Sequence, residues 1–263
     1  MYIIVYRLLN ILNMAEEDSL EARLAEGILN ILDNIEYYSI DQVANICNVS
    51  KSTLSKFVRK LNFEGYKEFR EYAIFEKKKV HRNSKDIFIE KNGIEKYIDL
   101  LHEDIDVMIN SISPVQMREL IRAICKYEKI AAFGSLYSQT AAMDFVFQMV
   151  REGKIIKTYV DDLKQEKYFK DADENTLIIV FSDSGKYLFE ERMKKQDARK
   201  DFVKSTKAKI ALITSNKDIA EHPIVAYPLL YDFSTQTKNN VILSRVIITM
   251  IVNEYRKMIE NRS

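Results

Sequence analysis

Over the first 80 residues, apolar positions recur only at helical spacing. Leu20, Leu24, Ile28, Ile31 and Leu32 mark one face of a helix that ends near Asp33-Asn34. Ser39 followed three residues later by Gln42 is a capping box, and it predicts a second helix with Ile40, Val43, Ala44 and Cys47 inward. Asn48-Val49 interrupts that pattern. Ser50 then caps a third helix whose Leu54, Phe57, Val58 and Leu61 form a buried stripe at i, i+3, i+4 and i+7. Residues 83–92 are polar and end at Gly93, which reads as a linker. Two amphipathic helices follow over 94–111 and 114–127, the second opening on Ser113-Pro114 as cap and first helical residue. From residue 129 the character changes. Apolar runs at 130–133, 155–160, 177–181, 210–213 and 224–230 alternate with helical stretches, and predict βαβ units around a five-stranded parallel sheet buried on both faces. A long helix over about 236–259 closes the chain. The expected organisation is a two-domain protein: an all-α domain over 1–80, a linker over 81–93 and an α/β domain over 94–263, its sheet flanked by helices.

Composition narrows the classes. Hydrophobic residues at 47% and charged residues at 30% exclude disorder throughout the 263 residues, while six glycines and three prolines exclude collagen-like and turn-dense all-β architectures. A net charge of +1 excludes a uniformly basic nucleic-acid coat, so any polyanionic partner must meet a local patch. Such a patch exists. Residues 1–50 hold two cations against eight carboxylates, and residues 51–82 hold ten against four. Cys47 and Cys125 cannot build a disulfide framework, and both fall in apolar helical pattern, where buried free thiols are expected. With no Cys-x-x-Cys or Cys/His ligand set, no metal and no cofactor are expected. The apolar opening, residues 1–12, has Arg7 in its middle, no charged start and no small-residue cleavage site. It is also shorter than the ~20 residues of a membrane span, so a cytoplasmic protein without membrane contact is expected.

Two short helices joined by a tight turn have the spacing of a helix-turn-helix. If the apolar stripe of the third helix docks on the first two, Lys51, Ser52, Ser55, Lys56 and Arg59 are left outward, with Ser50 and Thr53 at the helix start. Hydroxyls there can reach base edges, cations neutralise phosphates, and the helix N-terminus can hold a phosphate. Double-stranded operator DNA is the partner this predicts.

The stretch from Leu24 to Arg70, and above all Lys60-Leu-Asn-Phe-Glu-Gly-Tyr-Lys-Glu-Phe69, closely resembles the N-terminal domain of the RpiR (MurR/RpiR) family of bacterial transcriptional regulators. One departure is Asn48 where such turns often carry glycine, and Asn tolerates the left-handed conformation. The resemblance implies a C-terminal sugar isomerase (SIS) domain, which the βα alternation fits. The residues point to a pocket on their own account, because ligands of open parallel sheets lie beyond the carboxyl ends of the strands. There, Phe133-Gly134-Ser135-Leu-Tyr-Ser138 and Phe181-Ser182-Asp-Ser184-Gly185-Lys186 place hydroxyls and backbone N–H groups at helix starts, the chemistry a phosphate needs. The family pattern Gly-x-Gly-x-Ser falls on 134–138 with Leu136 in place of the second glycine. The pattern Ser-x-Ser-Gly-x-Thr falls on 182–187 with Tyr187 in place of threonine. Gly134, Ser135, Ser138, Ser182, Ser184 and Gly185 are the expected effector residues and a phosphosugar the expected effector. A third turn, 214–216, reads as structural.

No catalytic residue is expected. His81, His102 and His222 stand in no motif, and Glu221 beside His222 is a neighbouring acid–base pair in a loop, where such a pair is most often solvated. A ligand-responsive regulator, acting as a homodimer or homotetramer on a pseudo-palindromic operator, is the leading expectation. A regulator whose SIS domain serves only dimerisation and a sugar-phosphate isomerase are the alternatives.

Overall fold

The structure, a computed structural model, describes residues 2–81, 93–189, 201–233 and 240–261. The linker read at 83–92 lies outside them. The chain divides into two compact units, Met1–Lys85 and Asp86–Ser263.

The first unit is helical. Helix α1 (Tyr2–Met14) packs on α2 (Leu20–Ile31), and a 3₁₀ turn (Leu32–Tyr37) leads to α3 (Ile40–Ile46), α4 (Lys51–Lys60) and α5 (Tyr66–His81). Caps set these boundaries. The Ser19 hydroxyl accepts from the Ala22 amide, Ser39 and Gln42 form the full reciprocal box, and the Ser50 hydroxyl accepts from the Thr53 amide. Helices α3 and α4 both end on a left-handed asparagine, Asn48 (φ 53°) and Asn62 (φ 66°). In each case the following amide reaches back, Val49 to the Ala44 carbonyl at 2.9 Å and Phe63 to that of Val58 at 3.3 Å. Helix α2 passes close to the end of α3 because Gly27 has no side chain: a Cβ there would lie 2.8 Å from Cys47 Sγ. The core combines Leu24, Ile28, Val43, Leu54, Phe57, Val58 and Phe69 with Ile4 and Leu8 of α1, so the apolar opening of the chain is a packing face.

The second unit begins with α6 (Gly93–Ser111) and α7 (Pro114–Lys126), the latter capped by Ser113. Strand β1 (Lys129–Phe133), α8 (Tyr137–Arg151), α9 (Asp162–Asp171) and β2 (Thr176–Phe181) follow. After these come α10 (Lys186–Phe189), α11 (Asp201–Ser205), β3 (Lys209–Thr214), α12 (Lys217–Ala220), β4 (Val225–Leu230) and α13 (Asn240–Glu260). All strands are parallel in the order β1-β2-β3-β4. Strand residues alternate between two cores. Ile130, Leu177, Ile179, Ala211 and Ile213 meet α7, α8 and α13, whereas Phe133, Ile178, Val180, Ile210 and Leu212 meet Phe169, Leu188 and Val203.

Among the described residues the sheet has four strands, not the expected five. Residues 155–160 reach β1 only through a single parallel bridge, Ala131 to Lys157. Ile155 is 80% exposed, and the Tyr159 carbonyl is taken by the Gln165 side chain, so the ladder cannot extend. The bridge still places this segment beyond β1, on the side away from β2. The chain therefore leaves β1 in one direction and returns across it to β2, which puts the topological switch point between β1 and β2. At the other edge β4 is blunted: Pro228 has no N–H, and the Leu230 amide donates to Gln116 Oε1 at 3.1 Å.

Among the described residues no helix is long and apolar enough to cross a membrane, and no group of three or more His, Cys, Asp or Glu could hold a metal. Cys47 is buried, which pushes its thiol up, but Cys125 is only half-buried, so the expectation of two buried thiols holds for one.

Candidate functional site

Leu54, Phe57 and Val58 bury one face of α4 and fix which residues face outward. Lys51, Ser52, Lys56 and Arg59 are exposed, and Thr53 and Ser55 half-buried. The seven expected DNA-facing residues are not equivalent. Ser50 and Thr53 are turned to each other, their hydroxyl oxygens 2.9 Å apart, and act as a cap. Lys51 pairs with Asp41 at the start of α3, and Arg59 Nε donates to the Glu64 carbonyl at 3.3 Å. Ser52, Ser55 and Lys56 make no side-chain hydrogen bond or ion pair within the described residues, which leaves them available to a partner.

Much of the basic charge of residues 51–82 has an internal task that sequence reading missed. Lys60 pairs with Glu21. Arg70 donates to the Ile35 and Glu36 carbonyls, and Lys77 to the Asp33 carbonyl and, at 2.9 Å, to Glu36. These cations satisfy the carbonyls at the end of the 3₁₀ turn, as a helix C-terminus prefers. The Lys77 ammonium in turn holds the Glu36 carboxyl below its usual range. Tyr66 donates to the Tyr38 carbonyl at 2.8 Å, and burial pushes its hydroxyl up to about 12. Arg7 belongs with this group. It is 8% exposed, donates to the Leu61 carbonyl at 2.6 Å and lies over the Phe63 ring, so α1 caps the end of α4.

The second constellation lies at the switch point. Because Phe133 pairs with Val180, the turns after β1 and β2 leave the sheet side by side. In the first, the Gly134 amide donates to Gln139 Oε1 at 3.0 Å, and a Cβ on Gly134 would lie 2.5 Å from the Ser138 backbone. Leu136 adopts φ 56° and ψ −119°, a glycine conformation, at a strain of roughly 1–3 kcal/mol. Its carbonyl accepts from the Gln139 and Thr140 amides at 2.9 and 3.2 Å, and these two bonds hold it there. In the second turn Ser182 is buried and its hydroxyl accepts from the Tyr187 amide at 3.3 Å. Gly185 has φ 70°, and a Cβ there would lie 2.7 Å from Ile219. The turn after β3 latches this loop. Thr214 and Ser215 hydroxyls donate to the Asp183 carbonyl at 2.8 and 2.9 Å, and Asn216 donates to the Ser184 carbonyl at 3.1 Å. The Ser135, Ser138 and Ser184 hydroxyls make no such bond within the described residues.

Beneath the two turns lies a polar lattice that sequence reading did not find. Gln139 and Gln165 are almost fully buried. Gln165 Nε2 donates to Gln139 Oε1 at 2.9 Å, Tyr187 donates to Gln165 Oε1 at 2.6 Å, and Gln139 Nε2 donates to Thr158 at 2.9 Å. Tyr187, in place of a threonine, thus sends its hydroxyl to α9 and not to the mouth. The Asp183 carboxylate accepts from Tyr231, whose hydroxyl is driven far up, first by burial and then by that charge. The Glu221–His222 pair dissolves: Glu221 faces Lys217 at 3.9 Å, and His222 Nδ1 accepts from the Ile224 amide at 3.3 Å.

A family model described as "Helix-turn-helix domain, rpiR family" matches residues 7–74, from Arg7 into α5. Residues 7–74 are thus similar to the helix-turn-helix domain of the rpiR family. The chain is 23% identical over 175 residues to an uncharacterized HTH-type transcriptional regulator of Providencia stuartii, covering 63% of the chain and 60% of that relative. It is also 23% identical over 223 residues to an uncharacterized HTH-type transcriptional regulator of Clostridium perfringens, with 80% and 76% covered. The C-terminal unit has a SIS-like α/β fold. A candidate sugar-phosphate isomerase from Listeria monocytogenes superposes with a TM-score of 0.51 at 11% identity, covering 65% of this chain and 93% of that one.

Proposed function

We propose that the chain is a transcriptional regulator that lays α4 in the major groove of operator DNA and answers a phosphorylated sugar bound at the mouth of β1 and β2. One observation carries the DNA reading. The left-handed Asn48 turn aims a helix whose apolar side is buried and whose Ser52, Ser55 and Lys56 are available on the other side, inside the segment matched by the rpiR-family domain. Ser135 and Ser138 after β1 and Ser184 after β2 lie on neighbouring turns at the switch point with hydroxyls that make no side-chain bond among the described residues, which supports an anionic, hydroxylated ligand. Gly134, Ser182 and Gly185 shape those turns. The chain acts as a regulator and not as a catalyst, in keeping with its relatives' names, and as a homodimer that presents two reading helices to a pseudo-palindromic site.

Operator titration by fluorescence anisotropy over a range of salt tests the first half. Lys56→Ala should weaken binding and lower the salt slope by about 1, as for loss of one phosphate contact. Unchanged affinity and slope would remove α4 from the interface. Thermal shift against a panel of sugar phosphates tests the second half: the chain should be stabilised by one of them, and Ser184→Ala should abolish that shift while leaving operator affinity intact. A full shift in Ser184→Ala would place the ligand elsewhere.

A further inference from the structure

The contacts of Tyr231 join two places that the proposed function needs joined. Its hydroxyl donates to the carboxylate of Asp183, which stands between Ser182 and Ser184 in the turn after β2. Its amide donates to the Thr214 carbonyl at 3.1 Å, and the Thr214 hydroxyl returns to the Asp183 carbonyl. Its ring is 1% exposed, within the core formed with α7, α8 and α13. The amides on either side of Tyr231 are held from the other direction. Leu230 N donates to Gln116 Oε1 at 3.1 Å in the first turn of α7, and Asp232 N donates to Ser111 Oγ at 2.8 Å at the end of α6. Ser111 is itself fixed, its hydroxyl donating to the Met108 carbonyl at 2.8 Å. Helix α6 is the first element of this unit along the chain, after the N-terminal unit in sequence.

We infer that Tyr231 is a positioning residue through which occupancy of the Ser184 turn is passed to the α6–α7 corner. This rests on the reading of that turn as a ligand site. The direction of the effect follows from charge. A phosphate held by Ser184 would bring a second negative charge beside the Asp183 carboxylate, and like charges at that range repel. The Asp183 main chain is pinned by Thr214 and Ser215, so the side chain is the part that yields. Moving it either strands a buried tyrosine hydroxyl or carries Tyr231 along, and a displaced Tyr231 pulls the Leu230 and Asp232 amides off Gln116 and Ser111. Packed interiors switch between discrete arrangements and do not stretch, so the corner would shift as a unit. Asp183 therefore senses the anion and Tyr231 connects it to the corner.

Hydrogen–deuterium exchange on the full chain tests this without a ligand, using Asp183→Ala, Tyr231→Phe and the double variant. Each single change should speed exchange in peptides covering both 107–118 and 228–233 by about tenfold, the loss of one buried hydrogen bond in a local opening. The double variant should be no faster than either single one, and peptides from β2 and β3 should stay protected, which separates a relay from general loosening. Wild-type rates at 107–118 in Asp183→Ala, or additive effects in the double variant, would overturn the inference. A second arm adds inorganic phosphate or glucose 6-phosphate. Where a probe protects the 182–187 turn, Tyr231→Phe should keep that protection and lose the accompanying change at 107–118; keeping both would overturn the relay. If neither probe protects the turn, the choice of ligand fails, and the substitution cycle still decides the relay.

Discussion

Replacing Arg7 by methionine is expected to destabilise the N-terminal unit by about 2–4 kcal/mol, because a charge-assisted hydrogen bond is lost and the carbonyl it satisfied stays covered. The bond runs from a guanidinium that is 8% exposed to the Leu61 carbonyl at the end of α4, across 54 residues of chain. Methionine keeps the unbranched stem and much of the volume beside Phe63, so cavity formation contributes little and the measured loss reports the cap. For a unit of this size the midpoint of thermal unfolding should fall on the order of 10–20 °C, followed as helical circular dichroism of the full chain. The second unit, with its own core, should melt where it did before. Operator affinity should fall as well, since the loosened last turn of α4 carries Arg59 and Lys60. A melting midpoint unchanged for Arg7→Met would show that the Leu61 carbonyl finds another donor at no cost and that α1 is dispensable to α4.

This effect also marks where sequence reading stops. Caps and stripes were legible because their partners lie within four residues: Ser39 with Gln42, Ser50 with Thr53, and the 54–57–58 stripe all appear as read. The left-handed turn at Asn48 was legible for the same reason. The roles of Arg7, Arg70 and Lys77 were not, because a cation that caps a carbonyl 34 to 54 residues away looks in sequence like one available to phosphate. The one available hint was Arg7 itself, a cation at the centre of an apolar run. The fifth strand was over-read because 155–160 has strand composition, and composition does not reveal that Gln165 takes its carbonyl. The turns after β1 and β2 were legible from topology, since a βα alternation puts its loops at strand ends. Their floor was not. Gln139 and Gln165 look like ordinary helix residues until the fold buries both, and Tyr187 departs from a threonine in a direction only the packing of α9 explains.

Gly185→Ala should give the larger loss in the second unit, about 2–5 kcal/mol, from two separable causes. At φ 70° alanine occupies the left-handed region at a cost of roughly 1–2 kcal/mol. Its Cβ would also sit 2.7–2.8 Å from Cβ, Cγ1 and Cγ2 of Ile219, a branched side chain on a short helix that cannot swing its own Cβ away; overpacking of this kind costs about 1–3 kcal/mol. Either Ile219 moves α12 or the Asp183–Gly185 turn lifts from its latch on Thr214, Ser215 and Asn216. Adding Ile219→Gly separates the two causes. Glycine removes the Cβ as well as both γ carbons and leaves the backbone strain at residue 185, so in urea unfolding the double variant, measured against Ile219→Gly alone, should recover part of the loss and not all of it. Full recovery would mean the left-handed backbone is unstrained in alanine, and no recovery would mean Ile219 is not what the added methyl meets. Because the same turn carries Ser182, Asp183 and Ser184, the single variant should also lose any sugar-phosphate thermal shift, whereas its operator affinity, which depends on a unit with a separate core, should persist.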